Sequence, residues 1–84
     1  MKVKFHPEAE ADASEAQRWY AQRSNIAARA FLTELKLAID NVTKSPEIYP
    51  LYLSGSRRYF FPSFPFSLVY RKSNEVITVL ARPS

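Results

Sequence analysis

The chain has 84 residues, 46% of them hydrophobic and 14% aromatic, a net charge of +4 and no cysteine. This length has room for one hydrophobic core, so we expect a single domain over residues 1–84, and the lack of cysteine excludes disulfides and thiolate metal sites. No apolar run approaches the roughly 20 residues of a membrane span and no apolar leader is present, so we expect a cytoplasmic protein without a membrane segment.

The first predicted elements are a short strand and a helix. Lys2–Phe5 alternates polar and apolar residues, as a half-buried strand does. His6 then forms the junction to a helix that begins at Pro7, because proline suits the first helical turn. One face of this helix is lined by residues spaced four and three apart, namely Ala9, Ala13, Ala16 and Tyr20.

A second helix follows after a short break at residues 22–25. Ser24 is the predicted N-cap, and the helix should end near Thr43 or Lys44, because Pro46 disfavours helical backbone at Ser45. Its apolar stripe is the clearest in the sequence and comprises Ala27, Phe31, Leu35, Ala38 and Val42. Two helices joined so closely should form an antiparallel hairpin.

The remainder of the chain has the pattern of β-structure. Residues 45–56 contain two prolines and the single glycine and are predicted as a loop. Strands are predicted at residues 58–61, 66–71 and 75–81, with a turn at 72–74. The order β-α-α-β-β-β predicts an α+β fold, in which the helical hairpin packs on one face of a small, twisted, mostly antiparallel sheet.

Several classes of functional site are excluded by composition. The only histidine is His6, and no histidine–carboxylate cluster has ligand spacing, so we expect no metal site. A single glycine excludes the dinucleotide fingerprint and the phosphate-binding loop, so we expect no cofactor. The serines have neither an elbow motif nor a suitable histidine, which argues against a serine triad.

The basic residues of the C-terminal half are the better functional candidates. Four of the eight acids lie within residues 8–15, whereas cations predominate afterwards. This asymmetry favours an acidic or nucleic-acid partner, although basic side chains also serve simply to solvate a surface. The aromatic residues that accompany the arginines are expected mainly in the core. An arginine pair on a strand is not needed for packing, which singles out Arg57 and Arg58 at the start of the second strand, together with Arg71 at the end of the third and Arg82 after the fourth.

Six segments, in order, resemble the RelE/ParE superfamily of bacterial type II toxin–antitoxin toxins, and most closely its ParE-like, plasmid-stabilisation members. They are the opening FHPEAEAD, the aromatic pair Trp19-Tyr20, ARAFLTELKLAIDNV in the second helix, SPEIYP, SRRYF, and FPFSLVYRKSNEVITVLA. The resemblance implies a fold of the kind predicted above. It also implies a growth-arresting toxin that a cognate antitoxin protein keeps silent.

Two mechanisms are known in this superfamily. RelE-like toxins enter the ribosome and cleave mRNA with basic residues and often a C-terminal Tyr or His, whereas ParE-like toxins inhibit DNA gyrase. This sequence has Ser67 where nuclease members commonly carry Arg, and its last residues, 80–84, contain neither His nor Tyr. Arg57, Arg58 and Arg71 are therefore the only catalytic candidates for a ribonuclease, with Arg82 a weak addition.

Three functional hypotheses follow from the resemblance. The first is a ParE-like toxin that binds a protein target, DNA gyrase, without catalysis of its own. The alternatives are a ribosome-dependent mRNA ribonuclease and a shortened, inactive toxin that only binds antitoxin. Antitoxin or target binding is assigned to Trp19, Tyr20, Tyr49, Tyr52, Arg57, Arg58, Arg71 and Arg82, and the four aromatic residues among them are expected to stay partly exposed. The oligomeric state is not fixed by the sequence.

Overall fold

The computed structural model describes residues 1–80 and has the predicted order of elements. They are β1 (Lys2–Phe5), α1 (Pro7–Ala21), α2 (Asn25–Lys44), β2 (Arg57–Phe60), β3 (Ser67–Ser73) and β4 (Val76–Leu80). The α+β fold class is thereby confirmed. No described helix is both long and apolar enough to cross a membrane.

The four strands form one open sheet in the order β1-β4-β3-β2. The β2–β3 and β3–β4 pairs are antiparallel, whereas β1 lies parallel to β4. The sheet is therefore mostly antiparallel, as predicted, with β1 and β2 at its two edges.

Both helices begin at side-chain caps. His6 precedes Pro7, and its Nδ1 accepts a hydrogen bond from the Glu8 amide at 3.1 Å. Ser24 caps α2 as predicted, with its Oγ accepting from the Ala27 amide at 3.2 Å. These caps satisfy amides that have no partner inside the helix, and they fix where each helix starts.

The core lies between the helical hairpin and one face of the sheet. Phe31 of α2 is fully buried at its centre and packs against the rings of four other aromatic residues, which are Tyr20, Phe61, Phe64 and Phe66. The sheet contributes alternate residues of its two central strands, namely Leu68, Tyr70, Ile77 and Val79. Most of the aromatic side chains therefore serve packing.

The strand boundaries differ slightly from those predicted. β2 begins at Arg57 and ends at Phe60, and β3 continues to Ser73. The turn to β4 is formed by Asn74 and Glu75, and Asn74 has a φ of 55°. Asparagine tolerates this left-handed backbone better than most residues, so it marks the turn.

Candidate interaction surfaces

Side-chain alternation along the strands assigns the arginines to different faces of the sheet. Leu68 and Tyr70 point toward the helices, so Val69 and Arg71 point away from them. Arg58 pairs with Val69 across β2 and β3 and shares that outward direction. We call this outward side the far face; its side chains also include Lys2, Lys4, Phe60, Ser67, Thr78 and Leu80.

The far face is basic. Its side chains in the described strands include four cations, two lysines from β1 and one arginine each from β2 and β3, and no carboxylate. Phe60, which is 59% exposed, adds an aromatic ring at the β2 edge. An aromatic ring beside cations that have no neighbouring carboxylate is suited to an anionic partner that also carries an apolar or aromatic group.

Arg58 is held on the far face by two aromatic rings. Its guanidinium carbon lies 4.1 Å from the centroid of the Tyr52 ring and 4.9 Å from that of the Phe60 ring. Its Nε is buried without a hydrogen-bond partner, whereas its backbone amide donates to the Pro50 carbonyl at 2.9 Å. Stacking therefore stabilises the guanidinium, and no carboxylate within residues 1–80 forms an ion pair with it.

Arg71 is tied to a turn that folds over the far face. Its Nη2 donates to the Ser54 carbonyl at 2.8 Å. The turn passes through Ser54 and Gly55 with φ values of 52° and 76°, and the glycine there is favoured by its freedom to adopt positive φ. A 170 Å³ pocket lies between this turn and the sheet, lined in part by Leu53, Val69 and Arg71.

Arg57 occupies the helix side of the sheet and is separated from the other two arginines. Its Nη1 donates to the Tyr49 carbonyl at 2.8 Å, which anchors residues 45–52 to the β2 edge. Tyr70 completes this anchor, since its hydroxyl donates to the Pro46 carbonyl at 2.6 Å. The three arginines proposed from the sequence therefore do not converge: Arg58 and Arg71 share a face, and Arg57 holds a loop.

Burial raises the pKa of the Tyr70 phenol above its ordinary value. The neighbouring Arg57 charge opposes this rise, and Tyr49 adds to it. The neutral phenol is thus the form that the folded chain favours, as its role as a hydrogen-bond donor to Pro46 requires.

The four aromatic candidates lie in different surroundings. Trp19 is 50% exposed at the end of α1, and the Arg23 guanidinium stacks 3.5 Å from its ring centroid. Tyr20 is mainly a core residue, with its ring against Phe31. Tyr49 stacks on Tyr59, and Tyr52 lies over Arg58. All four keep some exposed surface, but only Tyr52 lies on the far face, whereas Trp19 is near the hairpin tip.

The two remaining sequence-based assignments concern Ser67 and Arg82. Ser67 is buried in the central strand β3 and pairs with Phe60 on β2. Arg82 lies outside the described residues. Within residues 1–80, no group of three or more His, Asp or Glu side chains is placed to hold a metal ion.

Sequence reasoning missed several exposed apolar side chains. Three belong to the loop between α2 and β2 (Ile48, Leu51 and Leu53), and two lie on α2 itself (Ile26 and Leu37). No periodic pattern predicts the exposure of the three loop residues, because prolines interrupt the sequence around them. The two α2 residues lie on a different side of the helix from the core stripe. Their positions relative to Phe31 and Ala38 could have predicted this from the sequence.

Comparison with known proteins identifies the family of this chain. A family model described as the ParE toxin of the type II toxin–antitoxin system parDE matches residues 3–81. A solved chain described as the chromosomal ParDE TA system from P. aeruginosa has 21% sequence identity and a TM-score of 0.66, covering 96% of this chain and 91% of that one. At this identity the similarity establishes a shared fold. Comparison with curated protein sequences gives no significant match.

Proposed function

The chain belongs to the ParE family of toxins from type II toxin–antitoxin systems, and from this premise we propose that it arrests growth by binding DNA gyrase and is neutralised by a cognate antitoxin. The observation that carries the proposal is the family match, which extends over residues 3–81 and so includes the helical hairpin and all the strand residues except Lys2. On this proposal the toxin acts by occupying a protein surface and performs no bond chemistry itself.

The chemistry of the far face supports binding over RNA cleavage. Cleavage by an RNA 2′-hydroxyl needs a general base and a general acid as well as cations that stabilise the developing charge. Arg58 and Arg71 supply cations, but the far-face residues of the described strands include neither a histidine nor a carboxylate. The nearby tyrosine, Tyr52, uses its ring to stack on Arg58.

A ribosome-dependent ribonuclease is the second candidate, because Arg58 and Arg71 lie on the same face beside Val69. Two cations on adjacent strands are suited to contact successive phosphates of a single strand. Arg57 does not belong to this candidate site, since its guanidinium binds the Tyr49 carbonyl on the other side of the sheet.

The antitoxin proposal is supported by exposed apolar side chains beside unopposed cations. Leu53 and Phe60 are more than half exposed near Arg58 and Arg71. A partly disordered antitoxin segment that folds on binding would cover such apolar surface and place acidic side chains on the arginines. Neutralisation then follows if antitoxin and gyrase need the same far face.

Induced expression in a growing bacterium tests the mechanism, with growth, mRNA integrity and DNA-damage signalling scored together. Growth arrest with DNA damage and intact mRNA is the expected result. Cleavage of mRNA at defined codon positions would instead establish the ribonuclease and make Arg58 and Arg71 its candidate catalytic residues. A folded product that causes no arrest would point to an inactive chain that only captures antitoxin.

A further inference from the structure

A row of three polar side chains crosses the middle of the far face. The strand register places Lys4 of β1 beside Thr78 of β4, and Thr78 beside Arg71 of β3. All three point away from the helices, because the residue that precedes each of them packs in or against the core. Since neighbouring strands are about 4.8 Å apart, the Cα atoms of the two cationic residues lie about 10 Å apart, with the threonine between them.

The polar groups of this row are free to bind an external anion. Lys4 and Arg71 are exposed, and neither forms an ion pair within residues 1–80. Thr78 is half-buried, and its hydroxyl has no hydrogen-bond partner in the part of the chain that the structure describes. The bond from Arg71 Nη2 to the Ser54 carbonyl orients the guanidinium and leaves its other N–H groups available. A hydroxyl between two cations is a donor set suited to an anionic oxygen.

The row continues diagonally across the sheet to an exposed aromatic ring. Arg58 pairs with Val69, so it lies one strand across and two residues along from Arg71, at a Cα separation of about 8 Å. Phe60, which is 59% exposed, follows two residues later on β2. We call these five residues the basic track: Lys4, Thr78, Arg71, Arg58 and Phe60. The track has three cations at intervals of about 8–10 Å and ends at an aromatic ring.

The accessible groups of the basic track favour a polynucleotide over a polypeptide. The aliphatic side chains of the neighbouring strand positions are covered, since Val69 is buried and Val76 and Leu80 are half-buried. A polypeptide that gains its affinity from apolar burial would therefore find little aliphatic surface on these strands. A single-stranded polynucleotide carries an anion on every residue and a base that stacks on an exposed ring, which are the two groups that the track accommodates.

We propose that the basic track binds a single-stranded polynucleotide directly, without gyrase or the ribosome. One phosphate lies on the Thr78 hydroxyl between Lys4 and Arg71, and a base stacks on Phe60. DNA and RNA share this chemistry. The proposal goes beyond a protein target, and its test uses the isolated chain, so its outcome is independent of whether the chain inhibits gyrase.

Fluorescence anisotropy with labelled oligothymidylate and oligouridylate of about 12 nucleotides, a length typical of single-strand binding sites, tests the proposal. The full chain should bind both at low salt, and the affinity should fall as salt rises. Lys4→Gln should reduce the slope of log affinity against log salt by about 0.7, the value for one phosphate contact to a single strand, and Lys4→Arg should retain the slope. Phe60→Ala should weaken binding at least about fivefold without changing the slope.

A matched variant and an acidic competitor separate the track from general attraction. Lys36→Gln removes the same charge from an exposed position of α2 and should leave the slope unchanged. Circular dichroism confirms that each variant is folded. Absence of binding to both oligonucleotides at low salt, or equal loss of slope in Lys4→Gln and Lys36→Gln, would overturn the proposal. Equally tight binding of polyglutamate of the same charge would also overturn it and assign the track to an acidic polypeptide. Binding of only one oligonucleotide would support the proposal and identify which nucleic acid is bound.

Discussion

At the scale of single residues, two neighbouring arginines of β2 make contacts on opposite faces of the sheet. Arg57 and Arg58 are adjacent in sequence, yet the first donates to the Tyr49 carbonyl on the helix side and the second stacks between Tyr52 and Phe60 on the far face. Strand alternation sets this division, because consecutive side chains point to opposite faces. The sequence pattern Arg-Arg therefore predicts one anchoring and one surface arginine, once the strand is known.

Replacing Arg57 should destabilise the fold more than replacing Arg71. Arg57→Ala removes the hydrogen bond that anchors the Tyr49 carbonyl, with an expected loss of about 1–2 kcal/mol in the free energy of unfolding. Arg71→Ala removes an exposed side chain and should change stability by about 0.5 kcal/mol or less. Urea denaturation of both variants measures the difference. Equal losses would show that Arg57 is not an anchor.

Tyr70 should make stability fall at alkaline pH. The folded chain raises the pKa of this phenol above its ordinary value, chiefly through burial, so the folded state retains the proton after the unfolded state has begun to lose it. Stability contributed by the neutral phenol is therefore complete below pH of about 10 and declines as pH rises above it. Tyr70→Phe should reduce that decline, which thermal unfolding across this pH range would measure. An unchanged slope in the variant would contradict the assignment.

At the scale of secondary-structure elements, the helices were easier to predict than the loop between α2 and β2. Ser24, Pro46 and the apolar stripe around Phe31 act locally, so capping and periodicity locate α2 to within a residue. The course of residues 45–56 depends on contacts with distant residues, such as Tyr70 with Pro46 and Arg71 with Ser54. Because these contacts join residues that are far apart in the sequence, local sequence patterns do not predict them. The grouping of Arg58 with Arg71 apart from Arg57 also required the strand register.

The Ser24 cap should contribute measurably to the stability of α2. Ser24→Ala removes the hydroxyl that accepts from the Ala27 amide, and we expect a loss of about 1 kcal/mol in the free energy of unfolding. Ser24→Asp keeps an acceptor at the helix N-terminus and should retain most of the stability, which makes it the matched control. Chemical denaturation measures both. If the two variants lose stability equally, the hydrogen bond is not the cause.

At the scale of the whole molecule, the far face of the sheet and the helical hairpin differ in charge: the described strand residues of the far face carry cations alone, whereas the hairpin carries charges of both signs. Helix α1 begins with Glu8 and Glu10 and has Arg18 in its last turn, whereas the far face carries cations from β1, β2 and β3 without a carboxylate among the described strand residues. The helices cover one face of the sheet, and the turn around Ser54 covers only part of the other, so that the cations of the far face remain the surface we propose for an anionic partner. Such a surface accelerates association and makes it sensitive to ionic strength, because salt screens exposed charges.

Gyrase inhibition should depend on far-face charge if this surface contacts the target. In a supercoiling assay with purified gyrase, Arg71→Gln should weaken inhibition several-fold, and rising salt should weaken inhibition by the unaltered chain. Arg18→Gln removes the same charge from the exposed side of α1 and should have little effect, which separates a local contact from net charge. Equal weakening by both variants would indicate general electrostatic attraction. Unchanged inhibition by Arg71→Gln would direct the search for the gyrase contact away from the far face, toward the helical hairpin.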